Sequence, residues 1–204
     1  MNHQDTKDGS TKAIAAEDPK GTDRSMTIYV LWGVGLGLLL MLGLVCWLVV
    51  APAVEVHRVA TSMPVQGYFP ARQEAAAAVA RLGGPERAAR KISIYLRLPA
   101  KLTGGEQSIP RWQASALLGC CGKPGLKTIL RLFSSSSEIR QACGMWGLMT
   151  FTVYRRSEDA LGRGNVVENL REVLGDPDPE VCRLAGDLLE VLKARGIEAF
   201  PYPK

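Results

Sequence analysis

One pair of side chains in this sequence is spaced for chemistry of its own: Cys120-Cys121, inside Gly119-Cys-Cys-Gly-Lys-Pro-Gly125. Adjacent thiols in a glycine-rich turn offer redox cycling or half of a metal site. Both readings meet obstacles. A disulfide between chain neighbours is strained, and no second cysteine pair at finger-like spacing completes a tetrahedral site. Cys46 falls within an apolar run, while Cys143 and Cys182 occupy apolar helical positions and read as small packing hydrophobes. Histidine is confined to His3 and His57, so the long C-terminal region has no imidazole for a triad or a His-containing zinc site. Gly83-Gly84 and Gly162-Arg-Gly164 lack the glycine–lysine–serine/threonine spacing of a phosphate loop, and no carboxylate pair is set apart by its surroundings. The sequence therefore predicts no catalytic residues, no cofactor and no metal: a protein that is not an enzyme.

Charge is the other property able to do work. The formal net charge of +5 is unevenly distributed. Arg58 to Arg131 holds 12 Lys/Arg against Glu74, Glu86 and Glu106, whereas Leu132 to Lys204 holds 9 Lys/Arg against 11 Asp/Glu. Within the basic half, Arg87, Arg90, Lys91 and Arg97 are the candidate partner-binding residues. An acidic protein surface would suit them. So would anionic lipid headgroups, which attract a nearby Lys or Arg by about 1 kcal/mol each. Solvated outer helix faces are the bland reading of the same charges. Nucleic acid is not an expected partner, because no aromatic platform or nucleic-acid motif accompanies the basic residues.

The element that positions everything else is the charge-free stretch Ser25 to Val54, whose centre runs Ile28 to Val50 with hardly a polar side chain. A bilayer core of roughly 30 Å needs about 20 apolar helical residues, so residues 26–53 can form a single transmembrane helix. A cleaved signal peptide would have an apolar core of about 7–15 residues and is too short to match. A lipoprotein reading founders on Val45, too bulky to precede a lipidated cysteine. A buried core helix of this length would carry a polar face. Tyr29, Trp32 and Trp47 sit where aromatic rings favour headgroups. Gly33-x-x-x-Gly37 is the candidate dimer face of the membrane helix, since small residues four apart let two helices approach closely and form a homodimer. Lys7, Lys12, Lys20 and Arg24 before the span, against Arg58 and Arg72 after it, favour a cytoplasmic N-terminus and a non-cytoplasmic C-terminal domain in a bacterial-type inner membrane. Unpaired thiols argue for the reducing side instead.

Around this span the chain divides into a disordered polar tail (1–25), a linker (54–70), a helical domain (71–196) and a C-terminal tail (197–204). The domain is helical throughout, giving an all-α fold class. Ala71 to Leu82 is alanine-rich and stopped by Gly83-Gly84, and Pro85 opens a helix with Ala88, Ala89, Ile92, Tyr95 and Leu96 on one face. Pro99 to Pro110 reads as a loop. Pro110 to Leu118 and Leu126 to Phe133 follow as short helices. Ser135-x-x-Glu138 and Asn165-x-x-Glu168 form capping boxes, and Pro179 starts the last helix. No strand pattern of useful length appears.

Short helices punctuated by Gly and Pro suggest antiparallel pairs stacked into a small solenoid. Asp176-Pro-Asp-Pro-Glu-Val-Cys-Arg-Leu-Ala-Gly-Asp-Leu-Leu189 resembles the first helix of a HEAT repeat of the PBS-lyase type. Glu138 to Gly144, Arg111 to Gly119 and Ala76 to Ile92 resemble weaker copies. Spacing is uneven, with an extended connection over Tyr154 to Gly164, and a non-repeat helical bundle is the rival arrangement. The resemblance implies a scaffold surface that binds another protein. Lyase activity, known in some HEAT-like proteins, does not transfer on repeat similarity alone.

Overall fold

A computed structural model describes residues 20–64, 69–103, 105, 108–155 and 164–202. The chain divides into two units, one ending at Leu44 and the other beginning at Val45. The first contains α1 (Lys20–Val45). Every described side chain from Met26 to Leu44 is exposed, among them nine leucines and valines, so the helix presents an apolar surface. Residues 1–19 of the expected disordered tail (1–25) lie outside the described residues, and residues 20–25 are helical, as the first turns of α1, rather than disordered.

The second unit opens with a π-helical turn (Cys46–Val50) that runs into α2 (Ala51–Ser62). It continues through α3 (Arg72–Arg81), α4 (Pro85–Arg97), a 3-10 turn (Ala100–Thr103), α5 (Ile109–Cys120) and α6 (Lys123–Phe133). After α7 (Glu138–Arg155) and α8 (Val166–Glu172), a second 3-10 turn (Val173–Gly175) leads to α9 (Pro179–Ala194). No strand occurs among the described residues; one isolated bridge joins Asn165 to Pro201. The all-helical class and the long apolar helix, Met26–Ser62, are thus present.

α5 is the hub. It packs on α7, α2, α4, α6 and α3, while α6 also meets α4, α7 and α9. The α5–α7 contact is close because two glycines face each other's backbones. A Cβ on Gly119 would lie 2.5 Å from both Gly147 O and Phe151 N, and one on Gly147 would lie 2.9 Å from Ser115 O. Gly119 is therefore inside a helix rather than part of an interruption, and α5 extends to Cys120. At the end of α3 the chain reverses through Gly83 and Gly84, with φ of 96° and 88°, conformations that a Cβ disfavours. Ala88, Ala89, Ile92, Tyr95 and Leu96, the face read from the α4 pattern, are all buried.

Three further expectations need correction. The 54–70 linker is half helix: α2 buries Ala53, Val56, Val59 and Ala60, with Met63 just beyond it, and packs on α4 and α5. Those apolar positions lie one helical turn apart on one stripe, so tertiary packing makes this stretch part of the core. Residues 65–68 of that linker lie outside the described residues. Residues 197–202 are not a free tail either. Val166 donates its N–H to Phe200 O at 2.8 Å, and the buried Tyr202 hydroxyl bridges Thr152 Oγ1 (2.7 Å) and Asn169 Nδ2 (2.6 Å). The helical domain therefore exceeds 71–196 at both ends. Third, the Ser135 hydroxyl accepts from Ser137 N rather than from Glu138, so no Ser135 capping box forms; the Asn165 cap does, accepting from Glu168 N at 3.0 Å. The Tyr154–Gly164 connection is shortened by α7, which reaches Arg155, and its residues 156–163 lie outside the described residues.

Candidate functional site

α4 and α6 lie side by side, and α9 begins beside α6. Between them is a groove of about 560 Å³ lined by Arg90, Arg97, Lys123, Lys127 and Arg131 against Glu86 and Glu180. The local pattern explains the clustering. Lys123, Lys127 and Arg131 recur every four residues on α6, whose other face buries Leu126, Ile129, Leu132 and Phe133. One face goes to the core and the opposite face must carry the charge.

The groove contains two classes of cation. Lys123 donates to Asp178 at 3.0 Å and lies 3.2 Å from Glu180, while Lys127 lies 3.5 Å from Glu180. Hydrogen bonding to Lys123 holds the carboxyls of Asp178 and Glu180 below their ordinary values, and the same bonds raise the Lys123 ammonium. Asp178 also caps α9 by accepting from Glu180 N at 2.9 Å. These pairs tie α6 to the start of α9. Arg90, Arg97 and Arg131 have no carboxylate within ion-pair distance among the described residues. Their donors are available to an incoming acidic group, and a guanidinium fork suits a carboxylate or phosphate.

Of the four residues singled out in the sequence, Arg90 and Arg97 line the groove. Lys91 points elsewhere: its ammonium meets Glu55 of α2 at 2.6 Å. Arg87 is exposed outside the groove. The α6 cations were not singled out, although their four-residue recurrence on an amphipathic helix is the signal that finds them. Arg111, counted within the basic half, is buried; it donates to Thr103 Oγ1 at 2.8 Å and Leu96 O at 2.6 Å.

The cysteine pair takes on no reactive character. Cys120 and Cys121 donate to Ala116 O and Leu117 O of their own helix. Burial pushes the Cys121 thiol up to about 12 and raises Cys120 further still, with the neighbouring Cys121 adding to the shift. A thiol held protonated is a poor nucleophile and a poor ligand. No group of three or more His, Cys, Asp or Glu side chains able to hold a metal occurs among the described residues. Gly33 and Gly37 lie on α1, where an added Cβ at either would meet nothing within 4 Å beyond the helix's own backbone, among the described residues.

A second concavity, about 590 Å³, is apolar and aromatic: Trp112, Phe133, Met145, Trp146 and Met149 face Phe200 of the C-terminal segment. Trp146 stacks on Phe69 at 5.8 Å and tilts against Trp112 at 5.6 Å. Glu138 and Arg195 are its charged lining residues. Comparison with family models, with curated proteins and with solved structures gives no match to this chain.

Proposed function

We propose that this chain is a single-pass, membrane-anchored helical module, HEAT-like in its stacking, that binds an acidic stretch of another protein in the groove between α4 and α6. The observation that carries the reading is three arginines lining one groove with no carboxylate within ion-pair distance among the described residues. In solvent-facing positions each such contact is worth only about 0.2–1 kcal/mol, so recognition depends on several acting together. Anchoring in a membrane raises the effective concentration of the module near an assembly in the same bilayer. The span is retained, the flanking charges set the N-terminus in the cytoplasm, and Gly33 and Gly37 offer a face for a second copy. A reporter fused at Lys204 tests the sidedness.

The decisive experiment uses the full chain in nanodiscs of neutral lipid and an oligoglutamate peptide as probe. Replacing Arg90, Arg97 and Arg131 by Glu should weaken capture by about tenfold with the helical spectrum and melting unchanged. Equal capture by the variant would remove the groove from consideration. Binding to anionic vesicles without binding to the peptide would favour the lipid-headgroup reading.

The apolar concavity supports a second reading, small-molecule binding, because its volume lies in the range of ligand pockets and its walls are aromatic. A chromophore or apolar compound that stays with the purified full chain, and leaves on Trp146→Ala, would favour it.

A further inference from the structure

Beyond the helix of Met26 to Val50, the large apolar side chains that stay exposed among the described residues of the second unit are Val54, Leu102, Ile109 and Leu174. Leu102 is the most open of these at 73 %. It is not on a loose turn. Leu102 N–H donates to Pro99 O at 2.9 Å, Thr103 Oγ1 donates to Ala100 O at 3.1 Å, and the buried Arg111 donates to Thr103 Oγ1 from below. A turn fixed by a buried guanidinium thus presents a bare leucine. Leu102 and Val54 belong to one apolar hollow of about 400 Å³, shared with Val49, Val50, Ala53 and Leu98.

The position of that hollow along the chain indicates what covers it. Trp47 is 69 % exposed on a helix whose neighbours are apolar, the setting in which an indole sits at the headgroup level. The headgroup layer is about 5–8 Å deep on each side of the hydrocarbon, or about four or five helical residues. Counted from Trp47, residues 49–52 fall within it, Val54 stands just outside, and Glu55 is the first charged residue beyond. Leu102 lines the same hollow as Val49 and Val50, so the hollow reaches that layer. Two cations accompany the apolar residues: Lys101 precedes Leu102, and Arg58 lies one turn beyond Val54 on the same face of α2, both exposed.

We infer that the turn Ala100–Thr103 is a second membrane contact, with Leu102 entering the acyl boundary and Lys101 and Arg58 pairing with anionic headgroups. The occupant of the hollow is then an acyl chain of an anionic phospholipid, in continuity with the lipid around the span. This rests on the reading of α1 as a retained span.

The test places a photoreactive phenylalanine singly at Leu40, Leu102 or Leu174 of the full chain, reconstituted in vesicles of phosphatidylglycerol and phosphatidylcholine. Leu40 reports the span, and Leu174 is an exposed apolar residue outside the hollow. Lipid adducts are expected at Leu40 and Leu102 and not at Leu174. With Lys101→Ala, the Leu102 adduct should fall about fivefold, the factor that corresponds to one cation at an anionic surface. Adduct at Leu40 but none at Leu102, or a protein adduct in its place, would overturn this inference alone. Absence of lipid adduct at Leu40 would overturn the span and this contact together. A yield at Leu102 indifferent to both Lys101→Ala and Arg58→Ala would contradict the anionic pairing.

Discussion

α1 and α6 are built from similar aliphatic residues, yet they solve opposite problems. On α6, Leu126, Ile129, Leu132 and Phe133 are buried while Lys127 and Arg131 are exposed, so apolar and charged faces are separated at the helical period. On α1, Leu36, Leu38, Leu39, Leu40 and Leu42 are all exposed and no charge intervenes on any side. A helix can leave one apolar residue in water at little cost. Leaving a full circumference there forfeits about 25 cal/mol for every Å² left uncovered, which no charged face offsets. The pattern, rather than the content, distinguishes a helix solvated by protein and water from one apolar enough for lipid, the setting proposed for α1.

Arginine placed in each setting should separate the two by readout. Leu39→Arg with Leu40→Arg should disfavour insertion by about 5–7 kcal/mol, shifting the chain out of membranes while the helical module keeps its melting temperature. Leu118→Arg should do the reverse, destabilising the module by more than about 4 kcal/mol through an unpaired buried charge. Membrane fractionation and thermal melts of the reconstituted chain measure both. Loss of module stability in the α1 variant would mean that α1 packs as protein core.

A smaller effect tests how tightly the module is built. Gly119→Ala drives a Cβ into the α7 backbone, and about 3 kcal/mol of stability should be lost, which lowers the melting temperature by roughly 6–12 °C. An unchanged melt would mean that α5 and α7 stand farther apart than described.

Much of this architecture was legible in the residues, and the misses share a cause. Local signals, such as the charge gap, Gly83-Gly84, the Pro85 start and the Asn165 cap, act over a few residues and read directly from composition and spacing. The α2 stretch carries Ala53, Val56, Ala60 and Met63 at helical spacing, but it is short, has Pro52 in its first turn, and holds Glu55, His57 and Arg58. Only its partners α4 and α5 reveal it as core. Phe200-Pro-Tyr202 has no periodicity to read, because its anchors are hydrogen bonds to Thr152, Val166 and Asn169, far away in the chain. The groove was half legible for the same reason: Arg90 and Arg97 lie on one helix, and the neighbouring cations come from another.

Reactivity gives a third contrast. At pH 8, Cys121 should react with a water-soluble maleimide roughly a thousandfold more slowly than a free thiol, and Cys120 more slowly still, because each is held protonated by burial. Mass spectrometry of the labelled native and denatured chain measures this. Rapid native labelling would restore the pair as a redox candidate.

The smallest effect concerns the clamp between α6 and α9. Asp178 and Glu180 have carboxyls held below their ordinary values of 3.8 and 4.5 by Lys123. A depressed carboxyl contributes stability that is full above its unfolded value and disappears as pH falls through its folded value. Lys123→Ala should therefore be slightly less stable than the parent at neutral pH and equal to it once both carboxyls are protonated, below those ordinary values. Denaturant titrations across that acid range follow the convergence; a gap that persists in acid would assign the effect to packing instead.

The claim on which the rest depends is that the proposed transmembrane helix, residues 26–53, is held in lipid. Alkaline carbonate washing of membranes containing the full chain tests it most directly. The intact polypeptide is expected in the membrane pellet, together with its helical module; its quantitative release into the supernatant would contradict the account.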